Sequence, residues 1–534
     1  MLVACAGLLI WSADPRVMGL AGNTLWLASC VCLVSLPWGL FLAVAVSRTD
    51  LPLRRTVLAI LLMLLLVPLY LQATAWDAGL GKLGWLTGAV ESAAKPLLHG
   101  LPAAVWIHSL WSLPWVTLFV AVALWWSEPE WEESAMLETS RWQVFTHITL
   151  RRAVPGIIVA MVWVLLTTAT EIVVTDLYQV RTLAEELYVG FALADDPATT
   201  FGGATAVFVT GVLMGTAMWV LDRWWIVTGT VPRRGAVVYP LGRWRWLVLS
   251  GVGLSLVLLL VVPVGNLFYQ AGLTVEQVVR QPEPTWSWAR FSELMIPWPS
   301  TYRYSVAWEF RQALGWTLVI AASAATASLL LAVPLAWLGR RGGWRAIPAL
   351  LVAAAAAGTM GPLVGVAIIR WFGTSQVPWI VWAYDRTVCA PVLAATWRGL
   401  PLTILLCWFA FAGLSEHLLD AARVDGAGPL RRLIAVGVRS RLAALVAAWF
   451  VALALASGEL SASILVVPPG VSTVSIRVFG LLHAGVGNQA AALCLTNLVI
   501  LSGAALAVYA CVARMVRQGG LDAGIGWRNP RREA

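Results

Sequence analysis

Few side chains in this sequence could do chemistry, and their spacing excludes most of it. The five histidines, His99, His108, His147, His417 and His483, are scattered without metal-ligand spacing. The seven cysteines, Cys5, Cys30, Cys32, Cys389, Cys407, Cys494 and Cys511, form no CxxC pair, and most lie inside apolar runs where a thiol packs as a small apolar group. Gly81-Lys82 lacks the preceding glycine and the hydroxyl residue of a phosphate-binding loop, so the sequence carries no ATPase motif. No catalytic residue, metal site or cofactor is assigned. Two kinds of carboxylate remain. Glu171 and Glu459 each end an apolar run. Ionisable groups inside a membrane are often functional, although an external interface would hold such a group equally well. The others are acids gathered in charged loops between apolar runs.

The elements that must position these groups follow from composition. Of 534 residues, 60% are hydrophobic and 12% charged, against about 25% charged in a typical soluble chain. Mean hydropathy is +0.80. Lipid is the solvent such a chain requires, and helices satisfy their own backbone there. The expected fold is an all-α polytopic membrane protein. Apolar runs predict spans near 23–47, 56–75, 103–126, 154–175 and 202–221, then 245–266, 314–338, 346–370, 389–413, 442–464 and 489–512. Met1 to Trp11 reads as the stub of a shortened first span. The net charge of +9 comes from short arginine clusters after every second span. That is the positive-inside pattern, which places those loops in the cytoplasm, and it does not suggest nucleic acid. Many of the 32 tryptophans flank the runs, as an interfacial belt does. The external loop at 267–313 is long enough for a small ordered lid or a partner contact.

The chain also resembles itself. Thr24-Leu25 matches Thr317-Leu318 at an offset of 293, and Leu113-Pro114 matches Leu400-Pro401 at 287. Glu132 matches Asp420, and Glu171 matches Glu459, both at 288. The reading is two parallel tandem modules of about six spans, residues 1–235 and 236–534, with a solute path between them. The charged loops, 127–152 and 415–441, carry the sharpest pattern. Ser127 with Glu130 and Ser140 with Gln143 form capping-box patterns. In the second loop Gly426 suits a helix end at positive φ, and Gly428-Pro429 suits the start of the next helix. Both loops therefore read as helix, break, helix. In each the first helix is acidic and the second basic.

On these residues the sequence resembles the permease subunits of ABC importers. Asp420-Ala421-Ala422, Gly426 and Val436-x-Val438 are similar to the Glu-Ala-Ala, Gly, Ile-x-Leu-Pro loop of that family. Glu132-Glu133-Ser134 and Ile148-x-Leu150 match it more loosely, with Glu138 in place of the glycine and Arg151 and Arg439 in place of the final proline. The resemblance implies that Glu132, Glu133, Glu138, Ser140, Arg141, Asp420, Ala421, Ala422, Asp425 and Gly426 belong to coupling helices seated on a dimer of cytoplasmic ABC ATPases, the second gripping more closely. It further implies a solute-binding protein outside an inner (plasma) membrane. Asn23-Thr24-Leu25, Glu459 to Ser463 and Pro468-Pro469-Gly470 with Arg477 are similar to fused ferric-iron permeases; related permeases carry thiamine or phosphonates. Glu171, Glu459 and Arg477 are then candidates for an outer gate or a binding-protein contact. A secondary transporter with two six-helix halves is the alternative, and it would need an ion-coupling charge in mid-membrane.

Overall fold

A computed structural model describes residues 15–82, 84–89, 96–125, 129–193, 237–276, 283–295, 306–414 and 416–518. The stub at Met1–Trp11, the span expected at 202–221, the Ser127 cap, most of the basic stretch at 222–243 that joins the two expected modules and the tail after Gln518 lie outside these residues. In chain order the helices are α1 Pro15–Arg48, α2 Arg54–Leu64, α3 Leu69–Leu80, α4 Trp85–Ala89, α5 Gly100–Trp125, α6 Pro129–Ala135, α7 Arg141–Ala169, α8 Val173–Leu177, α9 Leu183–Leu193 and α10 Gly242–Gly272. A hairpin of β1 Leu273–Glu276 and β2 Glu283–Trp286 follows, then α11 Trp288–Met295, α12 Val306–Gly339, α13 Gly343–Gly358, α14 Gly361–Gly373, α15 Pro378–Arg386 and α16 Cys389–Ala412. The last are α17 Glu416–Val424, α18 Pro429–Val438, α19 Leu442–Ser457, α20 Val474–His483 and α21 Gly487–Gln518. Among the described residues seven helices are long and apolar enough to cross a membrane: α1, α5, α7, α10, α12, α16 and α21. Their outer faces carry exposed Leu33, Leu254, Leu330 and Val499, as lipid-facing helices do. The chain is a multi-pass helical membrane protein.

Two expected spans are not straight, and a third bend lies just ahead of another. The axis turns by 99° between α2 and α3, by 104° between α13 and α14, and by 82° between α18 and α19. The apolar runs at 56–75 and 346–370 concealed the first two because composition does not report direction, and the third falls where the charged loop at 415–441 meets the span expected at 442–464. Local chemistry accounts for the first two. Pro68 is the extended residue before α3, and Met360, extended at ψ 142°, precedes Gly361-Pro362 at the start of α14. Proline fits the first turn of a helix but cannot continue the one before it. The span expected at 154–175 ends sooner, at Ala169, so Glu171 stands just beyond the helix.

α1 packs along α5 and α7, and α12 packs along α16 and α19. Thr24 Oγ1 donates to the Leu20 carbonyl and accepts from Leu183 N–H at 3.0 Å. Thr317 Oγ1 donates to Ala313 and accepts from Val474 N–H at 2.8 Å. Helices from both expected modules share one core. α10 lies against α3 and α21, and the largest core joins Tyr70, Ile107 and Val164 to Leu259, Leu267, Met360 and Leu493. Asn497 donates to the Tyr70 hydroxyl at 2.7 Å across this core. Within the loop expected as an ordered lid, the hairpin and α11 gather Phe268, Trp286, Trp288 and Phe291 into one aromatic cluster.

Candidate functional site

Both charged loops form helix, break and helix, by different local means. Ser140 closes a capping box with Gln143 at the start of α7, satisfying two otherwise orphaned donors. In the second loop Gly426 takes φ +75°. Its N–H reaches the Arg423 carbonyl at 2.9 Å, and Ala427 N–H reaches Ala422 at 2.9 Å. This is the paired bonding by which a left-handed glycine ends a helix. Gly428 and Pro429 then start α18. The exits differ. α7 runs on from the first loop through a π-helical turn at Phe145–Thr149, whereas the second loop meets α19 at the 82° bend.

Glu132, one of the acids of the first loop, does not face solvent. It is fully buried against fully buried Arg48, the last residue of α1. Arg48 Nη1 and Nη2 donate to the two carboxylate oxygens at 2.8 and 3.1 Å, and Thr149 Oγ1 donates to the same group at 2.8 Å. Arg48 also bonds the Leu124 and Val237 carbonyls, and the Tyr239 hydroxyl lies 2.9 Å from Thr149 Oγ1. One ion pair thus ties α1, α5, α6, α7 and the segment leading into α10. The second loop is held from outside. Arg341, just past α12, pairs with Glu416 at 2.7 Å, both partly exposed. The bond from Arg341 holds the Glu416 carboxyl below its ordinary range. Glu133, Glu138, Ser140, Arg141, Asp420, Ala421, Asp425 and Gly426 are exposed, and Ala422 is half-buried. Asp420 pairs with Arg423 at 2.6 Å. Among these polar groups Leu137 is 87% exposed and Val424 89%, each beside its break.

The second cluster lies where the sequence halves meet. Glu171 follows α7 and accepts from Val174 N–H at 3.1 Å, capping α8. Glu459 follows α19 and accepts from Ala462 N–H at 2.8 Å, Ser463 N–H at 3.0 Å and Ser463 Oγ at 2.7 Å. Both glutamates therefore hold the turn that follows their helix. These turns abut the helix breaks. A Cβ on Gly458 would lie 2.7 Å from Pro68, and one on Gly361 would lie 2.3 Å from Ser461 Cβ. Neither glycine can be enlarged without moving backbone. Arg477 pairs with Glu309 of α12, not with Glu459; the Ser475 hydroxyl reaches the Glu459 carbonyl at 2.9 Å.

Sequence reasoning missed Arg398. It stands inside α16 and donates to the Thr359 carbonyl in the α13–α14 break at 2.9 Å, within Coulombic reach of Glu171. The signal was present, as a lone cation in the run read as the 389–413 span. Also missed was the contact of His483 with Asp176 at 3.0 Å, which joins α20 to α8. Among the described residues no three His, Cys, Asp or Glu side chains gather as a metal site would require. No protein-family model matches the chain, and no curated protein matches it.

Proposed function

We propose that this chain is the permease subunit of an ATP-driven importer, built from two copies of one module and moving a small solute between them. The observation that carries the reading is the pair of exposed helix–break–helix loops, each fixed by an arginine at or just past the end of a long helix. Arg48 and Arg341 are 293 residues apart, the same offset as Thr24 and Thr317. A loop held firmly to the spans at one end and presenting Leu137 or Val424 at the other is suited to pass motion between a docked ATPase and the membrane helices.

Further pairs of contacts support two modules. Thr182 caps α9 through Glu185 N–H, and Thr473 caps α20 through Ile476 N–H, 291 residues later. Arg16 pairs with Glu186; at corresponding positions Glu309 pairs with Arg477, so the pair recurs with its charges exchanged. The bends at Pro68 and Gly361 give each module a discontinuous helix, as solute paths in transporters often have. Ferric iron, as in the fused permeases the sequence resembles, is the leading solute. A binding protein outside an inner membrane and a cytoplasmic ATPase dimer are the expected partners. Purifying the chain from its own host and reconstituting it with co-purifying proteins tests the reading. An ATPase should accompany it, and hydrolysis should drive uptake. Uptake driven by an ion gradient with no ATPase present would favour a secondary transporter, a reading that Arg398 beside Glu171 supports.

A further inference from the structure

We propose that Arg398 is a contact for an oxyanionic group on the solute as it passes between the two halves, a proposal that rests on the permease reading. Arg398 has nine residues of α16 before it and fourteen after it, so it sits far from either end of an apolar helix. A cation there is costly and persists where it faces a cavity or a partner. Among the described residues one of its donors is engaged, by the Thr359 carbonyl at 2.9 Å, out of the five a guanidinium offers. It is half-buried, and none of its nitrogens is enclosed without a partner. Its remaining N–H groups are therefore not sealed inside the protein. Glu171 lies within Coulombic reach but forms no direct ion pair with it, and its carboxylate is bonded to Val174 N–H.

Trp111, 287 residues earlier by the offset that aligns Leu113-Pro114 with Leu400-Pro401, makes the corresponding bond without a charge. Its indole N–H donates to the Val67 carbonyl at 3.0 Å, in the α2–α3 break. A neutral donor thus satisfies one break. At the other break the same bond is made by a group with four further donors and a fixed charge. A guanidinium fork matches carboxylate, phosphonate or phosphate oxygens. A bare metal cation would be repelled, whereas a metal carried as an anionic chelate would not.

Charge-selective thiol labelling tests this without ATPase, binding protein or solute. In a background with the native cysteines replaced by serine, T359C puts a thiol beside the Arg398 bond. It is treated in neutral-lipid nanodiscs with an anionic and a cationic methanethiosulfonate. Rates are normalised to those with a small free thiol. The anionic reagent should react faster, and R398Q should lower the anionic-to-cationic ratio by about fivefold or more. R398K should keep the ratio. R398W, which imitates Trp111 and can keep the carbonyl bond, should lower it as R398Q does while the protein stays monodisperse. An unchanged ratio in R398Q and R398W, or no labelling of T359C at all, overturns the proposal. Anionic nanodiscs separate a soluble oxyanion from a lipid headgroup. A ratio that collapses there assigns Arg398 to lipid and also overturns it. Charge-selective labelling in a chain that recruits no ATPase would fail the permease reading alone.

Discussion

Replacing Glu132 with glutamine should loosen the first loop far more than the same change at Glu416 loosens the second. Arg48 and Glu132 have fully buried side chains, and the carboxylate accepts bonds from both Nη atoms of Arg48 and from Thr149. Removing one member of such a pair leaves a buried charge uncompensated, at about 3–5 kcal/mol. The Arg341–Glu416 side chains are 33% and 52% exposed, and exposed pairs contribute about 0.2–1 kcal/mol. If the loops open locally before a protease cuts, trypsin cleavage at Arg141 and Arg151 should accelerate by about 10² to a few times 10³-fold in E132Q. Cleavage at Arg423 and Arg431 in E416Q should rise by less than about tenfold. Peptide mapping of detergent-solubilised protein over time measures both. Replacing both members, as in R48M/E132L, should recover most of the protection, because an apolar pair leaves no orphaned charge. Equal acceleration in the two single variants, or no recovery in the double, would refute the assignment of Arg48–Glu132 as the anchor of the first loop.

Reversing one charge of the Glu309–Arg477 pair, as R477E, should lower the melting temperature, and E309R/R477E should restore it, since Arg16–Glu186 carries the opposite polarity. A double reversal no better than the single would show that polarity is fixed by surroundings. Gly426→Val forces a β-branched residue to φ +75° at about 1–2 kcal/mol, and should speed trypsin cleavage at Arg423 and impair ATP-coupled uptake; Gly428→Val, at φ −65°, should do neither. Because the Arg341 bond depresses the Glu416 carboxyl, its contribution is complete above the ordinary carboxylate range and is lost as pH falls through the lower folded value. Amide exchange over 416–424, corrected for its intrinsic pH dependence, should therefore quicken only on acidification through that window, and E416Q should abolish the step.

Some of this was legible in the residues because it is local. The capping box at Ser140, the left-handed turn at Gly426 and the Gly428-Pro429 start depend on neighbours within a few positions, and each formed as its residue types dictate. Apolar runs located the long helices for the same reason. The bends did not show, since Pro68 and Pro362 permit a break without fixing its angle. Glu132 was legible as one of the acids of the charged loop, and only the arrival of Arg48, 84 residues away, reveals that it is buried. Arg398 was visible as a lone cation, but its meaning depends on the distant Thr359 carbonyl and on Glu171 across the interface.

The shared core has a consequence for biosynthesis. α3 finishes at Leu80, yet the Tyr70 hydroxyl awaits Asn497, and α10 and α21 supply walls of the core that α1 and α5 begin. A ribosome must therefore make more than four hundred residues between these two bonding partners. Until the last helix enters the bilayer, the earliest helices keep unmatched polar groups and loosely packed flanks in lipid. Insertion chaperones or the translocon itself would have to hold them, and truncation within α21 should make the N-terminal helices targets for membrane proteolysis.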